Sequence, residues 1–131
     1  MVSEVRWKQR FQNFENTLIK LEKAVNKNDL SELEIAGIIH IYEFTFELSW
    51  KTLKDYLEEK EVAVKFPKDT IKEAFKYELI DDGDLWIDML QKRNLMSHTY
   101  NEYNAKLAYR LIVDQYFKAL NQLYLKLKSE I

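Results

Sequence analysis

The chain has 131 residues and a hydrophobic content of 47%, which fits one domain with a full core. Two glycines and one proline are too few for the turns of a many-stranded sheet, and the absence of cysteine excludes disulfides, thiolate metal sites and cysteine nucleophiles. A formal net charge of -2 argues against a protein that coats nucleic acid by bulk electrostatics alone.

Two long helices are predicted in the first half of the chain. Apolar residues recur at spacings of three and four from about Val5 to Lys27, which predicts an amphipathic helix. Ser31, followed three positions later by Glu34, has the form of a capping box and predicts a second helix over about Glu32 to Glu59. Because apolar residues cover more than half of its circumference, this helix should be central or should bury its second face in an oligomer.

A shorter helical pair is predicted next. The segment from Glu61 to Pro67 should be extended, since a residue before proline is kept away from helical angles. A third helix is predicted from about Lys68 to Leu79, with Phe75 on its inner side, and a fourth from about Asp84 into the region of Arg93. Capping is a sufficient explanation for the acidic residues near the start of this fourth helix, namely Asp81, Asp82, Asp84 and Asp88.

The last predicted helix begins after Asn101, a good N-cap residue, and runs to about Ser129 with Leu107 and Tyr116 inward. The expected fold is therefore a single all-α domain over residues 1–131, an antiparallel up-and-down bundle of three long helices with the shorter pair inserted. The first residues lack the apolar core of a signal peptide, and no uncharged stretch approaches the ~20 residues that span a bilayer. We expect no membrane association and a cytoplasmic location.

Two histidines, His40 and His98, are the side chains that ordinarily titrate near neutral pH. Arg93 precedes His98 by five positions, near the predicted end of the fourth helix. An arginine binds phosphate with a fixed charge and a histidine moves a proton, so together they suffice to cleave or transfer a phosphodiester. The alternative is that both cations only stabilise the C-terminal end of that helix. Spacing alone is a weak signal for catalysis.

The segment that starts at Arg93 and Asn94 and continues to His98 and Tyr100 reads R-N-x-x-x-H-x-Y. It resembles the R-x4-H-x-Y signature of HEPN proteins, helical domains often paired with a minimal nucleotidyltransferase. Within the predicted second helix, the stretch from Tyr42 to Leu57 is similar to the second helix of the HEPN branch of nucleotidyltransferase substrate-binding proteins and HepT-like toxins. Further matches extend the resemblance over most of the chain, at Pro67, Ile71, Ala74, Phe75, Leu79, Ile80, Trp86 and Met89.

The resemblance implies a HEPN-like bundle that dimerises and brings two copies of the motif to a shared cleft. Many HEPN proteins with this motif are metal-independent endoribonuclease toxins, with the nucleotidyltransferase as antitoxin. Carried over, Arg93 would bind the scissile phosphate, and His98 would act as general base or acid at the ribose 2′-hydroxyl. Asn94 would orient one of these groups. Tyr100 would contact phosphate or receive AMP from the partner. No metal or cofactor is implied.

Glu43 and Glu47 lie one turn apart on the apolar second helix. They are expected either to line the cleft and pair with Arg93 or His98, or to lie at the solvent edge. A metal site built from both with His40 is disfavoured, because all three residues come from one helix.

Two functions stay open. One is a ribonuclease toxin held in check by its nucleotidyltransferase partner. The other is a non-catalytic subunit that binds RNA, a nucleotide or another substrate for that partner. The complete motif disfavours a bundle without any site.

Overall fold

In a computed structural model that describes residues 2–96 and 101–131, the chain forms helices, and these ranges contain no strand. The all-α prediction is confirmed. In chain order the elements are α1 (Val2–Val25), α2 (Glu32–Glu59), α3 (Pro67–Lys76), α4 (Gly83–Met96), α5 (Glu102–Leu111), a π-helical turn (Ile112–Tyr116) and α6 (Phe117–Lys128). Among the described residues, no helix combines the length and the apolar character needed to cross a bilayer.

The start of α2 is set by the predicted capping box. The backbone N–H of Glu34 donates to Ser31 Oγ over 3.1 Å, and the backbone N–H of Ser31 donates to Glu34 Oε1 over 3.0 Å. The Glu34 carboxylate also binds Lys27. This hydrogen bond, followed by those with Ser31, lowers the pKa of Glu34 to about 2. Because this signal is local, the sequence located the start of α2 correctly, and the predicted end at Glu59 is also the observed one.

The long helices alternate in direction along the chain. Helix α1 is antiparallel to α2, since Lys27 pairs with Glu34 at one end and Arg10 pairs with Asp55 near the other. Helix α4 is also antiparallel to α2, since Tyr42 contacts Met89 and the earlier residue Trp86 lies beside Phe46. Helix α5, the π-helical turn and α6 run parallel to α2, since Glu102 lies beside Glu32 and Tyr116 beside Tyr42. Their shared core holds fully buried aromatic side chains, which include Trp7, Phe14, Tyr42, Phe46 and Tyr116. The predicted up-and-down order is therefore the observed one.

Helices α2 and α3 both end in a Schellman motif whose left-handed residue is a glutamate. Glu61 has φ 64° and Glu78 has φ 61°. After α3 the backbone N–H of Leu79 donates to the carbonyl of Ala74 over 2.8 Å. This turn ends α3 earlier than predicted. Phe75, predicted inward, is 52% exposed and packs over Gly83 instead of entering the core.

Replacing Glu61 or Glu78 by glycine should raise the free energy of unfolding. A left-handed conformation costs an L-residue about 1–2 kcal/mol, and the extra flexibility of glycine in the unfolded chain offsets part of the gain. We expect each substitution to stabilise by about 0.5–1 kcal/mol in urea titrations. The control Glu22→Gly, at an exposed right-handed position of α1, should destabilise by about 1 kcal/mol. A loss at Glu61 or Glu78 equal to that of the control would contradict the argument.

The last predicted helix is interrupted by the π-helical turn. There the backbone N–H of Phe117 donates to the carbonyl of Ile112, five residues back. The extra residue changes which side chains face inward, and Tyr116 remains fully buried. Leu107, predicted inward, is 46% exposed. That prediction is wrong because Ala108 is the residue of α5 that faces the core.

Candidate functional site

Arg93 lies in the last turn of α4, and its side chain is half-buried. Its Nε is buried, and among the described residues it has no hydrogen-bond partner. Asn94 follows and is exposed. His98 and Tyr100 lie outside the described residues, so their predicted roles stay predictions. The described part of the motif thus presents a guanidinium whose buried donor has no acceptor within the described chain.

Helix α5 begins beside the start of α2, at one end of the bundle. Asn101 is the N-cap of α5 as predicted, and its Oδ1 accepts the backbone N–H of Asn104 over 2.8 Å. Glu102 lies beside Glu32, the first residue of α2. The hydrogen bond from Lys106, followed by one with Glu32, lowers the pKa of Glu102. The N-termini of α2 and α5 therefore lie side by side, and both carry acidic residues.

A buried tyrosine of α2 contacts the turn of α4 that leads to Arg93. The hydroxyl of Tyr42 donates to the carbonyl oxygen of Met89 over 3.2 Å. Burial, followed by the nearby Tyr116 and Asp88, raises the pKa of Tyr42, while the positive charge of Arg93 acts in the opposite direction. The hydroxyl of Tyr42 therefore lies within electrostatic reach of the motif arginine.

A second buried tyrosine reaches α4 from the π-helical turn. Its ring stacks on that of Tyr42 with centroids 5.5 Å apart, and the Tyr116 hydroxyl donates to Asp88 Oδ2 over 2.5 Å. The other oxygen of Asp88 accepts from Lys92 Nζ over 2.8 Å. Burial would raise the pKa of Asp88, but the hydrogen bonds from Lys92 and Tyr116 outweigh burial and lower it. Burial, followed by the bond to Asp88, raises the pKa of Tyr116.

This network differs from the roles predicted for its members. Asp88 was expected to cap α4, but Asp82 does so, because its Oδ1 accepts the backbone N–H of Leu85 over 3.0 Å. Tyr42 and Tyr116 were expected as core residues only. The signal that sequence reasoning missed is tyrosine in place of phenylalanine on an inward stripe, since a buried phenol hydroxyl needs a partner.

Glu43 and Glu47 are both half-buried on α2. Glu47 Oε2 accepts the indole N–H of Trp50 over 2.9 Å, which accounts for one of its oxygens. The charge of Glu43 contributes to the raised pKa of Tyr42. In the described part of the chain neither carboxylate forms an ion pair with Arg93. The expected pairing with Arg93 is therefore not seen, and pairing with His98 falls outside the described residues.

A mostly apolar groove of about 340 Å³ runs between α4 and α5, directly beside the motif. Its lining includes Lys92, Leu95, Met96, Asn104, Leu107 and Leu111.

His40 is exposed on α2, where its ring meets that of Phe44 edge-on with the centroids 4.8 Å apart. Over the described residues, no three histidine or acidic side chains cluster in a way that could hold a metal ion.

Comparison with known proteins gives concordant matches. The family model described as "Nucleotidyltransferase substrate binding protein like" matches residues 9–129. A Haemophilus influenzae protein described as "Probable ribonuclease HepT" is 31% identical over 114 residues, which cover 79% of this chain and 77% of the relative.

Two solved structures share the fold. One is of a Thermus thermophilus protein, with a TM-score of 0.81 and 33% identity, covering 88% of this chain and 98% of that chain. The other is of a Haemophilus influenzae protein described as having the fold of a substrate binding domain of a nucleotidyltransferase. It matches with a TM-score of 0.70 and 27% identity, over 93% of this chain and 96% of that chain.

Proposed function

The chain belongs to the family of nucleotidyltransferase substrate binding protein-like proteins, and from this membership we propose that it is a metal-independent endoribonuclease. It acts as the toxin of a pair whose antitoxin is a minimal nucleotidyltransferase, in the cytoplasm, where RNA and nucleotides are available. One observation carries the proposal. Arg93, the first residue of the R-x4-H-x-Y motif, has a buried Nε donor that no described residue satisfies.

The proposed chemistry is transesterification within RNA. The ribose 2′-hydroxyl attacks the adjacent phosphorus while His98 removes its proton, and the bond to the 5′-oxygen breaks as that oxygen receives a proton. Arg93 binds the phosphate and stabilises the charge that develops on it. Asn94 orients one of these groups, and Tyr100 contacts phosphate or receives AMP. The products are a 2′,3′-cyclic phosphate and a 5′-hydroxyl end.

One histidine cannot both remove a proton and supply one in the same step. A second His98, from another copy of the chain, therefore protonates the leaving 5′-oxygen. The exposed face of α2 supports such a homodimer. Leu33 is 82% exposed and Phe44 is 56% exposed, and a side chain at Gly37 would meet nothing within 4 Å. A second helix can approach this face closely. Sedimentation should find a dimer, and a monomer that cleaves RNA at full rate would contradict the two-chain site.

Cleavage of RNA by the purified chain in excess chelator tests the proposal. The parent should release fragments with 2′,3′-cyclic phosphate ends, and His98→Ala should release none above background because the proton acceptor is gone. Gln12→Ala, at an exposed position of α1 away from the proposed dimer face, is the control and should cleave at the parental rate. Absence of cleavage by the parent over a range of RNAs and conditions would overturn the ribonuclease.

The second candidate is a non-catalytic subunit that binds a substrate or nucleotide for the nucleotidyltransferase. It is favoured by the description of the family and of the Haemophilus influenzae structure. Arg93 can bind a phosphate without cutting it. A parent that binds a nucleotide in titration calorimetry but does not cleave RNA, together with loss of that binding in Arg93→Ala, would favour this candidate.

A further inference from the structure

Two tyrosine hydroxyls are buried where α2, α4 and the π-helical turn meet. The side chains of Tyr42 and Tyr116 are fully buried. Phenylalanine would fill nearly the same volume without requiring a hydrogen-bond partner. Both hydroxyls find their partners on α4, the helix that carries Arg93, and neither has a part in the proposed chemistry.

The two hydrogen bonds are made to consecutive residues of α4. The Tyr116 hydroxyl donates to the side chain of Asp88 over 2.5 Å, and the Tyr42 hydroxyl donates to the backbone carbonyl of Met89 over 3.2 Å. In an α-helix the carbonyl of Met89 is also the acceptor for the backbone N–H of Arg93, four residues on. The turn of α4 that carries the arginine is therefore fastened to two other elements.

The π-helical turn gives an independent indication. Its five-residue hydrogen bond is rare and interrupts an otherwise regular helix, and such turns occur frequently at functional sites. Tyr116 is its last residue, so the irregular turn carries the hydroxyl that binds Asp88. A regular helix could have buried an apolar residue here without the irregularity.

Asp88 is fully engaged by its partners. One oxygen accepts from Tyr116 and the other from Lys92. Among the described residues Asp88 forms an ion pair with Lys92 and none with Arg93, whose Nε has no acceptor there. The contacts of Asp88 therefore join α4 to the π-helical turn and occupy both of its oxygens.

We propose that Tyr42, Tyr116 and Asp88 are positioning residues for Arg93, which hold the last turns of α4 so that its guanidinium stays buried at Nε and directed at a phosphate. The catalytic consequence rests on the proposed ribonuclease function. The structural consequence, that Arg93 is held in one orientation, is independent of that function.

The exchange of the Arg93 Nε–H proton with water measures this restraint directly. The chain has four arginines, so a nitrogen–proton correlation spectrum has four Nε–H signals, and the loss of one in Arg93→Lys assigns that of Arg93. In Tyr42→Phe and Tyr116→Phe the rate of this exchange should rise about five- to tenfold. This is the change in an equilibrium constant that the free energy of one lost hydrogen bond produces. The other three Nε–H signals should not change.

Cleavage kinetics give the second measurement. In Tyr116→Phe, kcat should fall about five- to tenfold with KM within twofold, because a misdirected arginine weakens the transition state more than substrate binding. Asp88→Asn, which keeps an oxygen acceptor for Tyr116, should retain most of the kcat. Asp88→Leu, which has no acceptor, should not.

Tyr124→Phe is the matched control. Its hydroxyl donates to Glu15 Oε2 over 2.5 Å, so this variant removes an equivalent tyrosine-to-carboxylate bond between α6 and α1, away from α4. It should leave Arg93 exchange and kcat at parental values. Unchanged Arg93 exchange in both Tyr42→Phe and Tyr116→Phe would overturn the proposal, as would an equal effect of Tyr124→Phe. If the parent cleaves no RNA, the ribonuclease fails, and the exchange measurement still decides the positioning.

Discussion

Replacing Arg93 by alanine should lower the rate of RNA cleavage by about 10²- to 10³-fold, the loss expected when one preorganised group that stabilises transition-state charge is removed. Arg93→Lys should recover only part of the rate. Lysine keeps the charge, but it lacks the planar fork that binds two phosphate oxygens at once. Single-turnover rates on one RNA substrate are the measurement. A lysine variant as fast as the parent would show that the charge alone is sufficient.

Replacing Arg93 should raise the free energy of unfolding, although it lowers the rate of cleavage. A buried donor without a partner costs about 1–3 kcal/mol, so Arg93→Met should unfold at higher urea concentration than the parent although it does not cleave. Gln91→Ala, at an exposed position of the same helix, is the control and should change neither property. A large loss of stability in Arg93→Met would mean that Arg93 is primarily structural.

Replacing Arg10 by methionine should destabilise the protein by about 3 kcal/mol, because it leaves the carboxylate of Asp55 buried without a counter-charge. The Asp55 side chain is only 5% exposed, and its Oδ2 lies 3.2 Å from Arg10 Nε. That oxygen has no hydrogen bond of good geometry, so the contact is mainly electrostatic. The double variant Arg10→Met/Asp55→Leu should regain most of the loss. Urea unfolding of the parent, of Arg10→Met, of Asp55→Leu and of the double variant completes the double-mutant cycle.

A second ion pair between the same two helices is the control. Arg6 NH1 lies 3.9 Å from Glu58 Oε2, and both side chains are more exposed than Asp55. Arg6→Met should therefore change the free energy of unfolding by less than about 0.5 kcal/mol. Equal losses in Arg6→Met and Arg10→Met would show that burial of Asp55 does not determine the cost.

Local signals in the sequence were sufficient for the framework of the fold. Ser31 and Glu34 located the start of α2, and Asn101 located the start of α5, because a cap depends on residues only a few positions apart. Local signals of this kind could not predict that Phe75 and Leu107 are exposed. Their exposure depends on a left-handed turn at Glu78 and on which residue of α5 faces the core, and both are decided by packing.

The candidate site was predictable to a similar degree. The motif predicts Arg93 as the residue that binds phosphate, and this role, like those of His98 and Tyr100, stays a prediction. The hydrogen bonds to the turn of α4 before Arg93 come from residues far apart in the chain, Tyr42 and Tyr116, and no local pattern distinguishes their hydroxyls from those of ordinary core tyrosines. The π-helical turn that carries Tyr116 also has no marker in its own five residues.

The pairing of α1 with α2 has a consequence for the order of folding. The two helices are adjacent in sequence and pair along their length, with Lys27 on Glu34 near one end and Arg10 on Asp55 near the other, so their association closes only a short loop. Helix α4 docks on a surface that this hairpin must first provide. We expect native-state hydrogen exchange to show α4 opening at lower free energy than α1 and α2. Brief opening of this kind would dismantle the arginine site while the hairpin stays folded.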